Sequence, residues 1–338
     1  MSDFLIGLLS ALVATNQPVA VSNLIAQKTG VSITVPDKSD PVEQEYQKLL
    51  ADDDAAQEEV AEWIKTNEKR QAEGDSLGSI TLRPRIRQRY EPVKTAYENF
   101  LERHPGHARA RLAYGSFLND IGEEEEAKVQ FEQSAKLDPR NPAAWNNLAN
   151  YYGHNGPVTK AFECYGRALE LKPTEAVYYQ NLATTMYLFR RDATNFFKLT
   201  ERQVFDRALA LYRQALEFDP DNFSLATDYA QTYYGIPPPR TGDAEADRRA
   251  EQKQAEDALA AWRIALKLAS DDKEREGIYI HFARIQINAN RFDEARKNLE
   301  VVTNGVHAAL KERLLKKLQS SEERLKGTNA PPAKAEMR

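Results

Sequence analysis

ARARLAYGSFLNDIGEEEEAKVQFEQSAKLDPRN (108–141) runs without a gap into PAAWNNLANYYGHNGPVTKAFECYGRALELKPTE (142–175), two stretches of 34 residues in one frame. Gly115, Gly122, Ala127, Phe131, Leu137 and Pro139 of the first fall in register with Ala149, Gly156, Ala161, Tyr165, Leu171 and Pro173 of the second. A repeat of this length decides the architecture before any single residue does, because it marks helical hairpins stacked into a solenoid. It also sets the kind of work to expect, the holding of other molecules.

Each copy has room for two amphipathic helices of about three to four turns. The small residues at the eighth and twentieth positions (Gly115 with Ala127, Ala149 with Ala161) belong where the two helices of a hairpin cross. A larger side chain there would push the axes beyond the usual ~8–10 Å. Phe131, Tyr152 and Tyr165 fill the space between hairpins. Gly122 and Gly156 suit a left-handed helix end. Pro139 and Pro173 close the second helix, which proline cannot extend. This pattern resembles the tetratricopeptide repeat, and the second copy matches that family's consensus through Trp145, Leu148, Ala149, Tyr152, Gly156, Ala161, Tyr165, Ala168, Leu171 and Pro173. The resemblance implies an all-α fold: a right-handed α-α superhelical solenoid of about five helix hairpins, with an N-terminal helical extension and a C-terminal capping helix.

With the frame set, further copies emerge. Residues 176–222 open with Tyr179, Leu182, Ala183 and Met186 and close with Ala208, Tyr212, Ala215, Phe218 and Pro220. Their second-helix small residue is expected at position 195 and stands at Ala208, so 13 residues are extra. Residues 223–272 carry Tyr229, Ala230, Tyr233, then Ala258, Trp262, Ala265 and Leu268, with 16 extra by the same count. A last copy, 276–305, holds Tyr279, Phe282, Ala283, Phe292, Ala295, Leu299 and Val302. Upstream, Val93, Tyr97, Phe100 and Pro105 read as the second helix of a degenerate half copy. The chain then divides into an apolar N-terminal segment (1–36), a helical extension with the half copy (37–105), the repeat body with its capping helix (106–326) and a disordered tail (327–338).

The net charge of −5, with 29% charged residues, implies no general attraction to nucleic acid or to a membrane surface. The lone Cys164 cannot form an intrachain disulfide and reads as a small packing residue. Phe4 to Ala14 is an apolar run too short to span a bilayer, which needs about 20 residues. Two readings of it stand. It forms a helix face that packs on the body or on a partner, which favours a cytoplasmic protein, or it is the remnant of an export signal, although Met1-Ser2-Asp3 brings no positive charge before it. A second apolar stretch, Val19 to Ile25, and a short β-prone piece, Val31 to Val35, follow.

From Pro41 to Gly74 the pattern is helical and acidic, with Tyr46, Leu49, Leu50, Val60, Trp63 and Ile64 as candidate buried residues. Asp52, Asp53 and Asp54 project about 100° apart on a helix and cannot converge on one ion, so they read as a solvated face. A linker at Gly74–Ser79 leads to Arg83, Arg85, Arg87 and Arg89, which lack interleaved stacking aromatics and read as solvated or paired with the acidic helix upstream, contact with an anionic partner being the alternative.

The family resemblance puts the binding surface on the first helix of each hairpin. The positions it marks hold Asn146, Asn147, Asn150 and His154 in the second copy, and Gln180, Asn181, Thr184 and Tyr187 in the third. The fourth supplies Thr227, Asp228, Gln231 and Tyr234, the fifth His281, Arg284 and Asn288. Side-chain amides both donate and accept, so such a column suits the backbone of an extended peptide. Asn147 and Asn181 share the sixth position, which resembles the asparagine ladder of O-linked N-acetylglucosamine transferases. Hydrogen bonding to a neighbouring loop is the alternative use of those asparagines. The carboxylate clamp of chaperone co-factors needs a lysine at the fifth position, where this chain has Leu112, Asn146, Gln180, Thr227 and Ile280.

The period slips at Arg190–Thr200 and Gly235–Arg249, and insertions in solenoids become loops that are often the binding face. Phe196 and Phe197 are candidate loop contacts, unless they tuck back onto the stack; Thr200 and Gln203 read as a capping box that restarts a helix. No phosphate loop, nucleophile elbow or paired metal-ligand histidines are legible, so no catalytic residue, metal or cofactor is assigned. Val306 to Lys326 reads as the polar-backed capping helix, with Leu310, Leu314, Leu318 and Leu325 turned inward. The function implied is a non-enzymatic scaffold or adaptor for a protein or peptide partner. The alternative is a structural component of an exported or envelope-associated assembly that docks through its apolar N-terminal segment.

Overall fold

The computed structural model of this chain describes residues 39–72 and 78–328. The apolar N-terminal segment, the Val31–Val35 piece, most of the Gly74–Ser79 linker and the tail beyond Thr328 lie outside them. Among the described residues every regular element is a helix. Two compact units are present, residues up to Asn147 and residues from Leu148 on.

The first unit holds α1 (Pro41–Ala72), α2 (Gly78–Arg103), α3 (Ala108–Asp120), α4 (Glu124–Leu137) and the start of α5 (Pro142–Asn155). α3 packs on α4 as a hairpin, and Gly115 sits at the crossing as the spacing requires. A Cβ built there would lie 2.5 Å from the Phe131 ring and 3.2 Å from the Ala127 carbonyl oxygen. Gly122 ends α3 with φ of 84°, a backbone state open to glycine at no steric cost. α1 packs on α2, so the half copy around Val93, Tyr97 and Phe100 has a first helix after all, supplied by the acidic stretch. Tyr46, Leu49, Ala56 and Val60 of α1 are buried there, whereas Ile64, expected in the core, is exposed.

α2 runs unbroken through Pro84 and Pro92. Both prolines are exposed, and each removes one backbone hydrogen bond from the helix. The solvated-face reading of the three aspartates is corrected at its middle member. Asp53 is 5% exposed and accepts hydrogen bonds from Tyr97 Oη at 2.7 Å and Gln57 Nε2 at 2.9 Å. Three consecutive helical side chains fan over about 200°, so one of them meets the core while Asp52 and Asp54 stay outside. Two of the four arginines pair with α1: the Arg85 guanidinium lies 3.6 Å from the centre of the Trp63 ring, and Arg89 Nε bonds Glu59 at 2.7 Å.

The second unit continues α5 and adds α6 (Val158–Leu171), α7 (Ala176–Leu188), α8 (Arg190–Phe197), α9 (Glu201–Phe218), α10 (Phe223–Thr232), α11 (Ala244–Leu268), α12 (Asp272–Asn288), α13 (Phe292–Glu300) and α14 (Ala308–Thr328). The hairpins are α7 with α9, α10 with α11, and α12 with α13. Ala208, Ala258 and Ala295, placed at their crossings by the repeat frame, are all buried.

Both insertions depart from the loop expectation. Arg190–Thr200 forms α8, closed by Lys198 in the left-handed region at φ of 57°. Thr200 then caps α9: its hydroxyl accepts from Gln203 N at 3.3 Å, while Gln203 Oε1 accepts from Thr200 N at 2.9 Å. The second insertion is irregular only as far as Asp243, whose carboxylate caps α11 at Glu245 N and Ala246 N; from Ala244 on it adds turns to α11.

At the far end α14 packs on α12 and α13. Leu314 and Leu318 are buried with Ile280, Ile287 and Leu299, but Leu310 and Leu325 are exposed, so the inward stripe is shorter than expected. Ser321 takes the next inward position in place of a leucine.

Candidate functional site

In the first unit Asn146 is 7% exposed, too covered to serve as an open contact. Its amide donates to Asn147 Oδ1 at 3.4 Å, and Asn147 Nδ2 donates to Ser116 Oγ on α3 at 3.3 Å. Asn147 thereby ties α5 to α3, the local structural use of an asparagine at this position.

The second unit holds the remaining positions. Asn150 accepts from Tyr165 Oη at 2.7 Å, which fixes α5 against α6. Burial pushes the Tyr165 hydroxyl up to about 12, so it remains a donor. On α7, Gln180 Nε2 donates to Asp228 Oδ2 on α10 at 2.8 Å, linking two expected contact residues across neighbouring hairpins. Thr184 bonds the Gln180 carbonyl oxygen and the Tyr212 hydroxyl, the latter at 2.7 Å. Asn181 is half-buried, and Gln231 is exposed. Tyr187 is also half-buried; a Cβ at residue 235 would fall 2.0 Å from its hydroxyl, so the chain after α10 passes over Tyr187 only because Gly235 has no side chain.

The third grouping joins the end of α10 to α11 and α12. Tyr234 Oη lies 2.7 Å from His281 Nδ1. The His281 ring stacks on Trp262 with 3.9 Å between centres and 11° between planes. The Arg284 guanidinium lies 4.6 Å from the centre of the Tyr234 ring. Burial, then the charges of Arg284 and His307, hold His281 at about 4, so it is a neutral imidazole at pH 7. Trp262 was legible as a packing residue of the fourth copy, but its role as the floor under His281 was not, because the repeat frame carries no information on ring stacking between hairpins.

Phe196 and Phe197 lie on a helix and not on a loop. They are half-buried, 5.4 and 5.1 Å from the Phe162 ring centre, with the Arg207 guanidinium 4.5 Å from Phe197. An eight-residue helix with apolar residues at Ala193, Phe196 and Phe197 buries them on one face.

The other insertion encloses open space. A cleft of about 830 Å³ lies between the chain from Tyr233 to Gly242, the N-terminal half of α11 and the C-terminal end of α12. Among the described residues no three His, Cys, Asp or Glu side chains are placed to hold a metal ion. Nor is any described helix long and apolar enough to cross a membrane.

Comparison with known proteins bears on the repeats. Residues 108–141 and 131–162 each match the tetratricopeptide repeat family. A tetratricopeptide repeat-containing protein of Methanocaldococcus jannaschii is 28% identical over 153 residues, 45% of this chain and 21% of that protein. Hsp70-Hsp90 organizing protein 2 of Arabidopsis thaliana is 23% identical over 206 residues, 53% of this chain and 33% of its own. The chain thus spans a fifth to a third of the length of these relatives. Among solved structures, YrrB, described as a TPR protein with an unusual peptide-binding site, aligns at 13% identity and a TM-score of 0.47, over 65% of this chain and 98% of that one.

Proposed function

Since the chain carries tetratricopeptide repeats, we propose that it is a non-enzymatic scaffold that holds a protein or peptide partner on the first-helix face of its second unit. The observation that carries this reading is the linkage of the marked positions across three successive first helices. Gln180 of α7 bonds Asp228 of α10, and Tyr234, just past α10, bonds His281 of α12. The positions therefore form one band of polar and aromatic groups. Gln231 and Arg284 are exposed on that band and are the residues open to direct contact.

The partner this band suits is a polar, uncharged stretch, because its amides and hydroxyls can exchange hydrogen bonds while its charges are few. The Arabidopsis relative is named for organizing two chaperones. Here the five clamp positions hold no cation, which speaks against the acidic chaperone tail as ligand.

The test is affinity capture from the cell that makes the protein, with identification by mass spectrometry and titration of the purified partner. The double variant Gln231→Ala/Arg284→Ala, at exposed positions, is expected to lose most of the recovery while its helical circular dichroism stays unchanged. Equal recovery by the variant would sink the assignment of this face.

A further inference from the structure

Where the proposed band meets α14, the second unit gathers hydrogen-bond donors for which it supplies no acceptor. Arg284 and Asn288 stand one turn apart on α12, on the same face as His281. The Arg284 guanidinium lies 4.6 Å from the centre of the Tyr234 ring. A stacked guanidinium keeps its N–H groups in its own plane, so their edge stays open. Lys317 reaches across from α14, and its Nζ donates to Asn288 Oδ1 at 2.6 Å. An ammonium can only donate, so it takes the oxygen end of the Asn288 amide. The Nδ2 end then faces away and meets no acceptor among the described residues. Arg284, Asn288 and Lys317 are all exposed.

The charges here do not cancel. Neither Arg284 nor Lys317 forms an ion pair among the described residues, and His281 is neutral at pH 7. The carboxylates of α14 are engaged elsewhere: Glu312 with Lys316, Glu322 with Arg296 and Glu323 with Gln319. On α12 the last carboxylate is Glu276, about 12 Å along the axis from Arg284 and bonded to Thr303 and Asn304. Asp247 and Glu251 of the neighbouring cleft both face Arg240. Partial burial, then the positive charges of Arg284 and Arg324, hold the Lys317 ammonium below its usual range. No described carboxylate acts on it in the other direction.

We infer that Arg284 and Lys317 together take one acidic side chain of the bound polypeptide, with Asn288 Nδ2 as a third donor. An ionised carboxylate is acceptor-only and has two oxygens to share among such donors. The polar, uncharged stretch of the partner is then followed by a single acidic residue at the end that meets α14. That residue fixes the direction in which the partner lies along the band. The inference rests on the scaffold reading and adds this one charge to the partner it describes.

The experiment is selection, against the full chain, of random peptides displayed on phage with no free C-terminus. Enriched peptides are expected to carry Asp or Glu at one fixed register. Each is synthesised with an amidated end and paired with a counterpart that has Asn or Gln at that register. Both forms are titrated by fluorescence polarisation against wild type, Lys317→Gln and Gln231→Ala. Wild type should prefer the acidic form about three- to tenfold, as expected for one carboxylate shared by two exposed cations. Lys317→Gln should cut that preference to about twofold, while Gln231→Ala weakens both forms and leaves their ratio standing. An acidic preference unchanged in Lys317→Gln overturns the site. Peptides with no acidic register that still lose affinity for Gln231→Ala overturn the site and leave the scaffold reading standing. A preference lost in Lys317→Gln, with Gln231→Ala binding as wild type, keeps the site and counts against Gln231 as part of the face. Failure of any peptide to bind any form overturns the site and counts against the scaffold reading as well.

Discussion

Replacing Gly115 by alanine opposes two effects whose sizes can be compared. The substitution removes a glycine from the interior of α3, which alone would stabilise the helix by ~1 kcal/mol. The new Cβ would stand 2.5 and 2.6 Å from two atoms of the Phe131 ring and 3.2 Å from the Ala127 carbonyl oxygen. Carbon atoms in contact prefer about 3.5–4.0 Å, so the ring has to withdraw by roughly 1 Å. Phe131 is 3% exposed and cannot swing into solvent. Either its rotamer distorts or α3 and α4 separate, and overpacking of this kind costs about 1–3 kcal/mol. The expected net effect is destabilisation of up to about 2 kcal/mol. Gly166, inside α6, is the control, because a Cβ there meets nothing within 4 Å and the helix gain of ~1 kcal/mol stands alone. The two alanine variants should therefore shift urea midpoints in opposite directions with slopes unchanged, read by helical circular dichroism. Hydrogen exchange of the α3 and α4 amides assigns the loss to their hairpin. If Gly115→Ala raised the midpoint as Gly166→Ala does, the crossing argument would be wrong for this hairpin. Adding Phe131→Leu to Gly115→Ala should restore part of the loss, a coupling expected only of residues in contact.

Three further outcomes follow from the packing. His281 is neutral in the folded chain with a value of about 4, against 6.5 unfolded, so the unfolded state takes up the proton first as pH falls. Stability from this group is intact above the unfolded value and is lost between about pH 6.5 and pH 4, by about 3 kcal/mol in full; His281→Phe should flatten the denaturation midpoint over that window relative to wild type, and an unchanged slope would refute it. Lys198→Gly relieves a left-handed residue at φ of 57° and should stabilise α8 and α9 by about 0.5–1 kcal/mol, measured as a higher urea midpoint. Tyr97→Phe leaves the buried Asp53 without its 2.7 Å donor and should cost about 1–3 kcal/mol, seen as a lower midpoint and faster exchange in α1 and α2.

The 34-residue frame carried the fold because packing at a hairpin crossing leaves a direct mark on composition: only Gly or Ala fits. Ala208, Ala258 and Ala295 were placed by that frame even where the period slips. The conformation of the slipped segments was not placed, because a period describes the repeat and is silent about what interrupts it. The helical signal was nonetheless there, in the spacing of Ala193, Phe196 and Phe197 and in the Ala-, Glu- and Gln-rich run from Ala244. The burial of Asp53 is hidden in the sequence because a run of like residues suggests one fate, while a helix turns each member to a different side. For the proposed contact band, the repeat frame names the first-helix positions but not their pairings. A position rule selects a face, but whether Gln180 reaches Asp228 depends on side-chain rotamers and on the stagger between hairpins.

The pairing of Gln180 with Asp228 has a thermodynamic consequence for recognition. These groups are already satisfied by each other, so a ligand that draws on them exchanges one hydrogen bond for another and gains little net free energy from doing so. A ligand that separates them without replacing both partners leaves a donor and an acceptor stranded, at about 1–3 kcal/mol each, roughly a five- to 150-fold loss in affinity per group. Such a surface discriminates by punishing mismatch more than by rewarding fit. If the proposed face is the binding face, its complexes would be modest in strength, quick to dissociate and selective, the profile of a surface that samples several occupants and keeps the one that leaves no group unpaired.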